Sequence, residues 1–431
     1  MINRQSIFEF QKKHEKFFTV LNNCAFVLLV VFIFCNPLPY TTAITNISFY
    51  LAIGIALFLI IFNPSAFTFK TPLTYPLIFF FLWSLLSIFW ARDVENTIND
   101  VQSHLLNHIL LYFLIINFFH SKKRLETLAW IIVLSATLFS VIGMVYYYVI
   151  LGNPIQSFRF GGCGMSKGAS AELPTNFVGT LTITAILFCL YFFFLSSSLY
   201  SRIAIILCAL ASFVTIILTQ SRATLAAFVI AGGTMLLLRK KMLLPVFLVA
   251  ITILTFVTPL KNRMDTFTIK ERLKINYVAY EVLKDYPLNG IGFGMLTFKN
   301  SINKEEAYVN KLPQKDRPAE IYGPHNWLLD IAVRVGLIGL ILFLVILFVF
   351  VKMCWKIIRY ARDNVIRNYG VYVAIAFLAY FIMGVTEPLF YYRASAMMFY
   401  ILLAMITVLS SLNHEAQSIM VQPVDKKAIS S

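Results

Sequence analysis

The sequence predicts an all-α, polytopic integral membrane protein with about twelve transmembrane helices and one partly helical loop domain outside the bilayer. Three observations predict it. Of 431 residues, 59% are hydrophobic and only 13% are charged, more apolar surface than a soluble core can hide. The apolar residues fall in long runs with few charges inside them. The basic residues, which set the formal net charge at +16, sit mostly in short segments between those runs. That distribution argues against nucleic acid and for membrane lipids as the surroundings, because Lys and Arg concentrate in the inner loops of membrane proteins.

In chain order the expected spans are residues 17–35, 44–62, 75–91, 105–119, 126–151, 174–195, 202–219, 222–238, 242–258, 327–351, 370–386 and 394–412. Residues 1–258 thus hold nine spans, 259–326 form a large outer loop domain, 327–412 hold three more spans, and 413–431 are a polar tail. Lys12, Lys13 and Lys16 precede the first run, but no small-residue cleavage site follows it, so it reads as a retained helix. Several spans are near the short limit for a hydrocarbon core of roughly 30 Å. The fourth carries His104 and His108 near its start.

Placing the N-terminus inside puts nineteen Lys and Arg residues in inner segments. Only five, Arg92, Arg159, Lys167, Arg222 and Arg393, then fall in short outer segments. Both termini are therefore expected inside, with the long loop, His325 and Glu387 outside. The six cysteines are scattered, mostly within apolar runs, and show neither a disulfide framework nor metal spacing. The outer segments contain no Asp, Glu or His cluster with ligand spacing, so neither a metal nor a cofactor is expected.

Within the outer loop, Ile275, Val278, Ala279, Val282, Leu283 and Tyr286 recur on one face of an expected helix from Glu271 to Tyr286. Pro287 and Gly290 end it, and it is expected to lie on the membrane or against the spans. Gly290, Gly292 and Gly294 suit a tight turn and a close approach of backbone to a ligand. No strand leads into them, so they do not read as a dinucleotide site. Asn303–Glu320 reads as a solvated flank.

The loop closes on the stretch from Tyr322 to Gly339. Gly323-Pro324 starts a helix, and His325-Asn326 stands at its mouth. Gly336 and Gly339 are expected to let another helix approach closely. His325 reads either as a titratable site or as a helix-capping histidine. Asp330 and Arg334, four apart, are expected to form an ion pair on one helix face. Glu387 and Arg393 flank Tyr391-Tyr392 and either pair with each other or touch substrate.

Three pieces now stand in order: Ser221-Arg222; Glu271-Arg272-Leu273 with Pro287 and the glycine run beyond it; and His325-Asn326 followed by Gly336 and Gly339. Together they resemble the O-antigen ligase and polymerase superfamily of bacterial inner-membrane glycosyltransferases, closely over about residues 210–345 and elsewhere only in architecture. The resemblance implies a periplasmic loop domain and transfer of a glycan from an undecaprenyl pyrophosphate carrier. The acceptor would be the lipid A core in the ligase branch, a carrier-linked repeat in the polymerase branch, or a protein side chain. One large outer loop, with only a short one at 152–173, looks more like the ligase.

The chemistry so implied is substitution at an anomeric carbon with a pyrophosphate lipid leaving. That leaving group needs cations, and guanidinium forks hold phosphate oxygens bidentately. Arg222, Arg159 and Arg272, with Arg393, are the expected donor-binding residues. A sugar hydroxyl attacks poorly unaided, so His325 is the expected general base, and Asn326 is expected to orient the loop or a substrate hydroxyl. A transporter would place polar residues near the midplane of several spans. Here they gather at outer ends, whereas a scaffold would require neither His325 nor outer arginines.

Overall fold

The computed structural model describes residues 14–64, 67–154, 160, 175–239, 242, 244–245, 248–249, 252, 267–302, 306–314, 317 and 323–421. Regular structure among them is helical throughout. The elements are α1 (Glu15–Cys35), α2 (Thr42–Phe62), the shorter α3 (Thr74–Trp90), α4 (Val94–Phe118), α5 (Lys122–Ile150), α6 (Thr175–Leu195), α7 (Leu199–Leu218) and α8 (Arg222–Arg239). After them come α9 (Phe267–Asp285), α10 (Thr297–Ile302), α11 (Glu306–Asn310), α12 (Trp327–Tyr360), α13 (Asn364–Thr386) and α14 (Arg393–Val421). Ten of these are long and apolar enough to cross a membrane, which makes the chain a multi-pass membrane protein. The expected ninth span, 242–258, lies largely outside the described residues.

Local chemistry sets several helix starts. Asp93 accepts from Asn96 N, Ser121 from Arg124 N, and Asp363 from Val365 N, each satisfying a backbone donor that the first turn leaves open. The most buried span is α14, which packs on α4, α12, α13 and α6. Against its first turns stands Trp327, the first residue of α12, fully buried among the rings of Phe343, Tyr380, Phe390 and Phe399. Helices α1 and α2 are peripheral, and Val20, Ile47 and Leu57 face outward as lipid-facing side chains do.

The loops sort to two ends. At one, Arg124 bonds Asn22 and Asn23 at 3.0 and 2.7 Å, Arg239 bonds Asn368 at 2.7 Å, and Lys122 pairs with Asp363. At the other, the segment after α9 is held by the junction of α3 and α4. Arg92 N donates to Ile291 O, Thr97 Oγ1 accepts from Gly294 N, and Asp100 accepts from Met295 N at 2.6 Å.

Helix α12 is broken at Gly336, whose φ of 70° and ψ of −178° lie outside the reach of other residues. The break frees backbone groups, and each finds a partner from outside the helix. Val333 O and Arg334 O accept from Ile291 N and Gly292 N, Val335 O from Trp83 Nε1, and Leu337 N donates to Pro287 O. The expectation that Gly336 admits another helix is therefore corrected: a Cβ there would lie 1.9 Å from Leu288 O, so it admits the loop. The glycine run likewise brings backbone close to the chain's own helices, since a Cβ on Gly290 would meet the Arg334 carbonyl at 2.4 Å.

Helix α9 packs on this broken segment. Its Ile275, Val278, Ala279 and Val282 are buried with Ile291, Phe298, Tyr308 and Val333, so of the two expected settings it takes the one against the spans.

Candidate active site

The N-terminal half of α12, the C-terminal end of α13 and one face of α9 meet at the loop-bearing end of the bundle. Asn326 begins α12. Its side-chain oxygen accepts from Leu328 N and Leu329 N, both at 3.0 Å, and its amide donates to Val385 O at 3.3 Å. Asn326, and not His325, thus caps α12. That releases the imidazole.

His325 is held from two sides. Its backbone N–H donates to Asn276 Oδ1 at 2.9 Å, and its Nδ1 lies 3.4 Å from Glu387 Oε2. The other oxygen of Glu387 accepts from Arg272 Nη2 at 2.5 Å. Arg272 and Asn276 are four apart on α9 and so project side by side. The result is a chain of three side chains, Arg272–Glu387–His325, drawn from three elements. The imidazole and the guanidinium remain about one-third exposed, whereas the carboxylate is 16% exposed.

Glu387 is where the structure differs most from sequence expectation. It does not pair with Arg393. A short helical turn, Leu389–Tyr391, separates the two, and Arg393 starts α14 with its side chain exposed. The backbone of this turn is gripped from below by α4. His104 Nδ1 lies 3.0 Å from Phe390 O, and His108 Nε2 lies 3.0 Å from Arg393 O. Both histidines are buried. Sequence reasoning left them unassigned; the signal was the i, i+4 pair of imidazoles on one face of an apolar helix.

Arg222 begins α8, half-buried, with Ser221 capping through Thr224 N. Its place relative to the site follows from Gly179: a Cβ there would touch both Thr224 Oγ1 and Met383 Cε. Helix α8 therefore begins beside the end of α13 that carries Glu387. Arg159 lies outside the described residues, while its neighbour Phe160 is buried against Phe139 and Tyr148. Asp330 and Arg334 form the expected pair at 2.9 Å, nearly inaccessible, and Arg334 also reaches Phe293 O at 3.4 Å. No group of three His, Cys, Asp or Glu residues suited to a metal occurs among the described residues.

Residues 206–344 match the family model described as O-antigen ligase. The matched stretch runs from within α7 to beyond the break in α12. It includes Arg222, Arg272, the 287–294 segment, His325 and Asn326. Glu387, Arg393, His104 and His108 lie beyond it. A search of curated proteins returned no match.

Proposed function

We propose, from the match of residues 206–344 to the O-antigen ligase family model, that this protein transfers O-antigen glycan from undecaprenyl pyrophosphate to the lipid A core oligosaccharide. The reaction takes place on the periplasmic side of the bacterial inner membrane, with both termini cytoplasmic and residues 259–326 forming the periplasmic loop domain. The gathering of Arg222, Arg272, His325 and Glu387 at the end opposite the Lys- and Arg-rich loops supports that orientation.

The observation that carries the mechanism is the Arg272–Glu387–His325 chain. A carboxylate facing Nδ1 favours the tautomer protonated there and leaves the Nε2 lone pair free to accept. The acceptor hydroxyl gives its proton to Nε2 as its oxygen bonds to the anomeric carbon. The bond from that carbon to the phosphate oxygen breaks, and undecaprenyl pyrophosphate leaves. One displacement inverts the anomeric centre. Glu387 then stabilises the imidazolium, and Arg272 holds Glu387 in place. Arg222, with Arg159 and Arg393, supplies cations for the pyrophosphate, and Arg272 adds whichever guanidinium donors Glu387 does not take. Asn326 keeps His325 at the mouth of α12 and holds one edge of the acceptor site.

The test is the lipopolysaccharide pattern of a strain lacking this gene, complemented with wild type, His325→Ala or Arg222→Ala at matched expression. Unsubstituted core together with accumulated full-length carrier-linked glycan, unrescued by either variant, is the expected result. Core bearing a single repeat identifies a polymerase, and an unchanged pattern points to a protein acceptor or to transport. Full rescue by His325→Ala removes the base.

A further inference from the structure

Toward the end of the bundle away from His325, two cavities of about 230 Å³ each follow one another along α6 and α8. The deeper one is wholly apolar, lined by Ile183, Leu187 and Leu190 of α6 and by Phe228, Ala231 and Met235 of α8. The other begins at the next residue of α6, Tyr191, and one turn further along α8, at Arg239. Asn368 and Tyr372 of α13 complete it. Arg239 donates to Asn368 Oδ1 at 2.7 Å, which fixes its guanidinium at the mouth. The Tyr191 side chain is buried, and its hydroxyl makes no hydrogen bond.

Unfilled space between helices forfeits contacts that the side chains around it would otherwise make. An apolar chamber stays dry, whereas a buried hydroxyl calls for a polar partner. Taken end to end along α6 and α8, the two chambers are apolar inside and cationic at the mouth, the polarity profile of one lipid molecule. Two further basic residues, Lys240 and Lys241, follow Arg239 in the sequence, and such clusters at a membrane edge attract anionic headgroups. The apolar chamber stops at Phe228, six residues and roughly 9 Å short of Arg222. The Arg239 chamber instead comes next along both helices, so the polar end of an occupant belongs there.

We propose that these cavities form a binding site for one anionic phospholipid, its phosphate held by Arg239 with Asn368 and an acyl chain lying between α6 and α8. The site is distinct from the Arg272–Glu387–His325 end and is independent of the transfer reaction proposed above. Its occupant fills the space between two spans, one of which begins at Arg222.

The experiment is native mass spectrometry of the full chain, purified in mild detergent and titrated with phosphatidylglycerol or with phosphatidylcholine of the same chains. Wild type should retain phosphatidylglycerol preferentially as one tightly bound copy. Arg239→Gln, at an exposed position, should lower that retention about ten-fold, the order lost with one charge-assisted hydrogen bond. Ala231→Leu should lower it as well by filling the apolar chamber, with the monodisperse elution of the protein unchanged. Equal retention of the two lipids, an Arg239→Gln variant that binds as wild type, or an Ala231→Leu variant that keeps the bound copy overturns the proposal. So does full displacement by millimolar inorganic phosphate, which would mark an ion site. Transfer activity enters none of these readouts, so the lipid site and the transfer reaction stand or fall separately.

Discussion

Glu387 Oε2 lies 3.4 Å from His325 Nδ1, while Glu387 Oε1 takes the Arg272 guanidinium. One carboxylate thus ties an imidazole at the start of α12 to a cation on α9. A base that must release and regain a proton in one orientation depends on such a partner.

Replacing the carboxylate by its amide tests this dependence. Glu387→Gln keeps the shape but lets the imidazole take the wrong tautomer, and it should lower kcat roughly 10–100-fold with a smaller change in KM. His325→Ala should cost about 10²–10⁴-fold. In the double variant the two losses should fall well short of multiplying, because the residues act as one unit. Steady-state transfer assays with lipid-linked donor provide the measurement, and full multiplication of the losses would show that Glu387 acts elsewhere.

The two buried imidazoles of α4 provide the second test. His104 lies against the carbonyl of Phe390, in the turn that follows Glu387, and His108 against that of Arg393, the first residue of α14. His108→Phe should keep the stacking on Tyr400 but lose both ring-nitrogen contacts, Nε2 to Arg393 O and Nδ1 to His104 O. The expected outcome is a folded protein, by size-exclusion profile, with transfer reduced about ten-fold, corresponding to roughly 1.4 kcal/mol of lost transition-state stabilisation. His108→Gln, which retains a donor, should recover part of it. A variant that is fully active while folded would mean that the turn holds itself.

The break in α12 makes a prediction about stability. Gly336→Ala places a methyl 1.9 Å from Leu288 O at a φ of 70°, which should cost more than about 3 kcal/mol by combined strain and clash. The variant should fail to elute as a monodisperse peak. Gly54→Ala, on an open helix face with nothing within 4 Å, should be neutral or stabilising by about 0.5–1 kcal/mol. Thermal denaturation in detergent compares the two.

The Asp330–Arg334 pair is nearly inaccessible. Removing one partner strands a buried charge, so Asp330→Asn should destabilise by about 3–5 kcal/mol. Replacing both together, Asp330→Leu with Arg334→Met, should cost distinctly less than the sum of the single changes. Additive losses in a double-mutant cycle would mean that the ions are held mainly by other groups, such as Phe293 O beside Arg334.

What the sequence determined by itself is what periodicity and local spacing encode. Apolar runs set the spans because a bilayer leaves a helix no alternative for its backbone hydrogen bonds. The placement of Lys and Arg sorted the loops into two sets, and the contacts bring each set together at its own end. The Asp330–Arg334 pair and the buried face of α9 were legible because helical neighbours lie three or four residues apart. Tertiary structure alone decided the partners of Glu387, which lie 115 and 62 residues away in the chain. It also decided the role of Gly336. The sequence shows a glycine in an apolar helix, and only the arrival of the 287–292 segment turns that glycine into a break whose freed carbonyls are met from outside. Contacts of this kind depend on which helices stack against which, and no local pattern carries that information.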